Sequence, residues 1–186
     1  MKTYQAKDIE RLLGVSHAEL FRWSRVWELF TPAQMGKGRR SKNRYNFINL
    51  LEIALVRELA QWGVDLRVAQ SGFNGRILFP EEISDEGIPI YRPGADLGLD
   101  CHEMWEFIQR NRRKFEKEGC VLVFRKTRNL DFLEASLHAM PNRSAARFVT
   151  PTDITPIGSG GVSVLMVDLM QTLRHVEQVT GDKLGE

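Results

Sequence analysis

The stretch Leu13-Gly14-Val15-Ser16-His17-Ala18-Glu19 constrains the fold more than any other. A glycine just past an apolar-periodic segment closes a helix, because it alone adopts the left-handed conformation cheaply. Ser16 with Glu19 three residues on is the reciprocal capping box that opens another helix. A stop and a start this close leave only a tight corner, so two short helices must cross as a helix-turn-helix unit. The first helix follows Tyr4, with Ala6, Ile9, Leu12 and Leu13 on one face and Lys7, Asp8, Glu10 and Arg11 on the other. The second is anchored by Leu20 and Phe21 and exposes His17, Ala18, Arg22 and either Trp23 or Arg25. It fades near Phe30, since the residue before Pro32 is driven out of the helical region.

Charge is unevenly divided. Residues 1–67 hold 12 lysines and arginines against 7 acids, whereas the remainder holds 14 against 17. Within the basic third, Lys37, Arg39, Arg40, Lys42 and Arg44 form a run without an acid, broken by Gly38 and preceded by Gly36. Such a stretch carries no core, so an exposed loop or hairpin is predicted. Its cations suit phosphates, where they displace condensed counterions. The N-terminal end of the second helix, at Ser16, offers backbone N–H groups and a positive dipole to a phosphate. Arg22 has the reach for a guanine edge or a phosphate.

Tyr45 and Phe47 then anchor an amphipathic helix. Phe47, Leu51, Ala54, Leu55, Leu59 and Trp62 recur at helical spacing, Gly63 ends it, and Asp65 caps a shorter helix through Leu66, Val68 and Ala69. From Gly72 to Asp100 glycine and proline become frequent, which reads as a connecting region with a short strand at Ile88–Tyr91. Cys101–Glu118 is predicted helical, with Trp105, Ile108, Arg112 and Phe115 as its stripe. Cys120–Phe124 and Val162–Val167 are predicted strands, Asp131–His138 is strand or helix, and Asp168–Val179 is a terminal helix. The predicted class is α+β. A mainly helical DNA-binding domain occupies residues 1–71, a linker 72–100, and a small α/β or α+β effector-binding or dimerisation domain 101–186.

The segment "RYNFINLLEIALVRELAQWGVDLRVAQ" resembles the second half of the MerR-type winged helix-turn-helix domain. Ala6–Glu28 resembles its first half, with Asp8-Ile9 in the first helix, Leu13-Gly14-Val15-Ser16 at the turn, and Leu20, Arg22, Trp23 and Arg25 in the recognition helix. The resemblance covers roughly residues 3–71. It implies a homodimeric bacterial transcription regulator that distorts promoter DNA, with a small-molecule effector or RNA polymerase as further partners. It also implies DNA contacts for Ala18, Arg22 and Trp23, and for Arg39, Arg40, Arg44 and Tyr45 around the wing. The chain departs from the family in four places. Ala18 and Phe21 stand where basic residues are usual, Arg22-Trp23 replaces an aromatic pair, Asn49 replaces the acid before Leu50, and Arg44 replaces a further aromatic. The predicted interface is therefore Ser16, His17, Ala18, Arg22, Trp23, Arg25, Lys37, Arg39, Arg40, Lys42, Arg44 and Tyr45.

Other readings are weaker. Gly158-Ser159-Gly160-Gly161 precedes a strand instead of a helix, so it suits a turn better than a phosphate loop. His102, His138 and His175 show no catalytic spacing, and Cys101 and Cys120 match no zinc pattern. The expectation is a non-enzyme that needs no cofactor and no metal, with both cysteines as reduced, part-buried thiols. The alternative is an architectural, excisionase-like DNA-binding protein whose second half holds a protein partner. No apolar stretch reaches membrane-spanning length and Met1–Asp8 lacks a signal-peptide core, so a cytoplasmic location is expected.

Overall fold

Helix α1 (Ala6–Leu13) is closed at both ends by the devices its sequence carries. The Gln5 N–H donates to Asp8 Oδ2 at 2.9 Å, and Gly14, at φ 64°, donates its N–H to the Glu10 carbonyl. Ile9 and Leu13 are its buried face. After Val15, Ser16 caps α2 (His17–Phe21), which continues into a π-helical turn (Arg22–Val26) where the Trp27 N–H donates to the Arg22 carbonyl at 3.0 Å. The Ser24 hydroxyl donates to the Leu20 carbonyl, a back-bond of the kind that loosens a regular helix. The helix therefore ends at Val26, before the Phe30 expected from the proline alone, and Glu28 takes a positive φ of 48°.

The computed structural model describes residues 2–36, 42–73, 77–78, 82–83, 89–90, 98–127, 134–139 and 162–184. They form an α+β fold in two compact units. One is Met1–Gln70 together with Gln171–Glu186, the other Ser71–Met170.

In the first unit, residues 44–45 lie between two antiparallel neighbours. Arg44 exchanges both backbone hydrogen bonds with Gln34, and Tyr45 does the same with Tyr4. Asn46 then caps α3 (Phe47–Gln61), whose Leu50, Leu51, Ile53, Ala54, Leu55, Val56 and Leu59 are all buried. A helix apolar around so much of its circumference belongs at the centre of its unit. Contrary to the expected stripe, Trp62 stands 67% exposed. Gly63 (φ 73°) donates to the Ala60 carbonyl and Val64 to that of Leu59, the paired bonds of a Schellman end. Helix α4 (Leu66–Phe73) follows, the Asp65 carboxylate accepting from the Arg67 N–H at 3.0 Å.

The terminal helix α7 (Leu169–Thr180) corrects the expected domain division. From Gln171 onward it belongs with residues 1–70 and not with the 101–186 domain. Thr172, Leu173 and Val176 are buried, and the Thr172 hydroxyl donates to Glu58 Oε2 of α3 at 3.2 Å. Just beyond it, Asp182 takes Lys2 at 2.8 Å and the Tyr4 hydroxyl, tying both ends of the chain together. An amphipathic period says that a helix packs, but not against what.

The second unit is built on a five-stranded sheet. Strand β5 (Cys120–Thr127) runs antiparallel to both β6 (Glu134–Ala139) and β7 (Val162–Asp168), with Leu122 opposite Leu137 and Val167. Beyond β6, β1 (Ile77–Leu78) adds in parallel and β4 (Gly98–Leu99) pairs antiparallel to it. Strands β2 (Glu82–Ile83) and β3 (Pro89–Ile90) make a separate ladder. Residues 72–100 are thus not a linker. Strand β3 falls within the short strand expected at Ile88–Tyr91, whereas β1, β2 and β4 are two residues long, too short for any alternation to register.

The predicted helix 101–118 is two helices, α5 (Cys101–Arg110) and α6 (Arg112–Glu118), broken at Asn111, whose side-chain amide donates to the Phe107 carbonyl. Trp105, Ile108 and Phe115 are buried within the single chain, so this stripe offers no free apolar seam to a second copy. Gly158–Gly161 lies outside the described residues.

Candidate nucleic-acid interface

Periodicity decides which side chains of α2 and its π-helical extension share a face. His17, Ala18, Phe21, Arg22, Arg25 and Val26 all point outward, while Leu20, Trp23 and Ser24 are buried. His17, Ala18, Phe21, Arg22, Val26 and Trp27 line one open groove of about 720 Å³. The Arg22 guanidinium lies 5.8 Å from the centroid of the Trp27 ring, a cation–π contact that holds a cation on the groove wall.

Two predicted contacts prove to be core residues. Trp23 is 4% exposed and Tyr45 3% exposed. The Tyr45 ring meets Phe30 edge to face at 6.4 Å, and its backbone is paired to Tyr4. Burial pushes the Tyr45 phenol upward, opposed by its hydrogen bond to Asn43 and by the charge of Arg25. The expectation that Phe21 anchors α2 is reversed with that for Trp23. Phe21 stands 59% exposed and Val26 60% exposed. The sequence held the signal, since residues 17, 18, 21, 22, 25 and 26 share a helical face once Leu20 is set inward.

Ser16 is engaged elsewhere as well. Its hydroxyl accepts from the Glu19 N–H at 3.3 Å and donates to Glu19 Oε2 at 2.7 Å, and its own N–H donates to that carboxylate at 2.8 Å. These bonds hold the Glu19 carboxyl below its ordinary range against some desolvation, with Arg22 and Arg57 adding to the effect. The Glu19 carboxylate thus takes the N–H and hydroxyl of Ser16 itself, and none of these bonds involves the N–H groups of His17 and Ala18.

Of the basic run, Lys42 is exposed and Arg44 half-buried beside its pairing with Gln34. Lys37, Arg39 and Arg40 lie outside the described residues. Asn49, in the sequence only a departure from the family pattern, organises the approach to the run. It is 2% exposed, and its side chain makes four hydrogen bonds. Its Oδ1 accepts from the N–H groups of Ala33 (2.9 Å) and Asn46 (3.2 Å), while Nδ2 donates to the Thr31 carbonyl (2.9 Å) and Glu52 Oε2 (2.7 Å).

A second open cleft, about 520 Å³, lies between α3 and α7 and is lined by Arg57, Glu58, Trp62, Thr172 and His175 among others. Cys101 and Cys120 are buried and not joined in a disulfide, and burial with the nearby Asp168 charge drives the Cys120 thiol far up. Among the described residues no three His, Cys, Asp or Glu side chains are grouped to hold a metal, and no helix is long and apolar enough to cross a membrane.

No known protein-family model matches the chain, and a search of curated proteins finds no similar sequence. The assignment of function therefore rests on the residues and their placement.

Proposed function

We propose that the protein is a sequence-specific DNA-binding transcription regulator of the MerR type. In this reading it binds promoter DNA as a homodimer, with the second unit serving for sensing or dimerisation. The observation that carries the reading is the outward face of α2 and its π-helical turn. Arg22 and Arg25 stand on it exposed, and the backbone pairing of Arg44 with Gln34 leads into the cationic run 37–44. A slender helix supplies the element that enters a major groove, and the run supplies phosphate contacts. Arg22 and Arg25 reach base edges or adjacent phosphates, with Lys37, Arg39, Arg40 and Lys42 on the backbone. Trp23 and Tyr45 hold the scaffold and touch no DNA. Because the apolar faces of α5 and α7 are already buried in the chain, the dimer uses other surface.

The test is binding of the full chain to the promoter fragment of its own gene, titrated over salt with random competitor. Specific binding whose logarithm falls steeply with log salt supports the reading. Arg39→Ala with Arg40→Ala then lowers the slope by about 2, roughly one per phosphate contact. Failure to bind any duplex at low salt would sink it.

A further inference from the structure

We infer, resting on the regulator reading, that the outer face of α2 recognises a thymine 5-methyl group near a guanine, with Phe21 and Ala18 on the methyl and Arg22 on the guanine. Among the described residues the exposed large apolar side chains are Phe21, Val26, Met35 and Trp62, and the first two share this groove. An exposed phenylalanine forgoes a substantial burial energy, which contact with an apolar ligand group recovers. On the edges of the base pairs in the major groove, the thymine methyl is the one apolar group, and Ala and Phe are side chains suited to it. Arg22 lies in the same groove with the bidentate geometry that fits guanine O6 and N7. The carboxylate that would favour cytosine instead is turned away, since Glu19 is held by Ser16. Ala18 and Arg22 are one helical turn apart, about 6 Å along the axis at 1.5 Å per residue. At about 3.4 Å per nucleotide, that places the thymine within roughly two steps of the guanine.

The charge of the face favours DNA over a protein for this groove. Arg22 and Arg25 are both exposed on it, and Glu19, the acid within the same helix, is engaged in its own cap. The experiment selects the preferred duplex of the full chain from a random pool. Each thymine of a half-site is then replaced singly by deoxyuridine, which removes only the methyl. The expected result is a loss of about fourfold at one or two thymines near a guanine, the equivalent of one buried methyl, and no change at the others. Phe21→Ala should abolish that discrimination while keeping the salt slope. Phe21 stands outside the core, so the variant should fold, and an unchanged circular dichroism melt checks this. Specific binding that is indifferent to every deoxyuridine, or that keeps its discrimination in Phe21→Ala, overturns this inference and leaves the regulator reading standing. If no duplex is bound at all, both fall.

Discussion

The chain repeats one capping motif at the starts of α1, α2, α3 and α5, and two of these, at α2 and α3, stand in opposite surroundings. At α2 the pair is Ser16 and Glu19, an ionised carboxylate on an exposed helix end. At α3 it is Asn46 and Asn49, neutral amides at 8% and 2% exposure. Both satisfy the orphan donors of a helix start, but solvent compensates for the first if it is lost and cannot reach the second. The buried version also does what the exposed one does not. Through Thr31 and Ala33 it pins the chain leaving the π-helical turn, and through Glu52 it is locked to the centre of α3. An acid at position 49 would face the Glu52 carboxylate. The amide is what this neighbour requires.

The comparison breaks most visibly at Asn49. Asn49→Asp removes two donors and sets two carboxylates together in a buried site, so a loss of about 3–5 kcal/mol is expected in chemical denaturation. The new pair holds a proton more tightly folded than unfolded. Its raised folded pKa means the variant recovers stability as pH falls and loses it as pH rises. Asn49→Ala leaves buried groups unpaired without adding charge, so it should lose about 3 kcal/mol with no such pH dependence. If the Asn49→Asp protein were as stable as the wild type at neutral pH, the described network would not be formed.

Next in size is the exposed cap. Ser16→Ala should cost about 1 kcal/mol, the ordinary worth of a serine cap. An effect as large as that at Asn49 would erase the distinction between the two motifs.

Both caps sat in plain view in the sequence as polar residues three apart, yet only that of Ser16 was legible as one. Serine and glutamate are the familiar pairing, whereas the meaning of Asn49 depended on Thr31, Ala33 and Glu52, which no local pattern places beside it. The same distinction runs through the molecule. Helices α1 and α3, the start of α2 and strands β5 and β7 follow from periodicity and turn residues. The inward turn of Trp23 and outward turn of Phe21 also follow once Leu20 is set inward, but a count of apolar residues alone ranks these two aromatics alike. Within the π-helical turn that holds Trp23, the Ser24 hydroxyl bonds back to the Leu20 carbonyl. The family resemblance implied a DNA contact for Tyr45, but its pairing with Tyr4 links residues far apart in sequence. Strands β1 and β4 and the return of α7 to the first unit are long-range choices of the same kind.

The smallest effect is the sharpest discriminator, because it lies in pH and not in size. The hydrogen bonds from Ser16 lower the Glu19 carboxyl in the folded state from its ordinary 4.5. A depressed acid stabilises the fold above its unfolded pKa, and that contribution disappears as pH falls through the folded value. Denaturation followed from pH 7 downward should therefore show the wild type weakening below about 4.5, beyond what other groups contribute, and Glu19→Gln should remove that part of the slope. Glutamine keeps the shape and can still accept from the Ser16 N–H, so the loss at neutral pH should stay within a fraction of a kcal/mol for so exposed a group. Asn46 and Asn49 do not titrate, and substituting Asn46→Ala should lower stability while leaving the acid slope unchanged. Should Glu19→Gln and the wild type lose stability in parallel as pH falls, the Glu19 carboxylate would not be held in its cap, and Ser16 would be free to meet a phosphate instead.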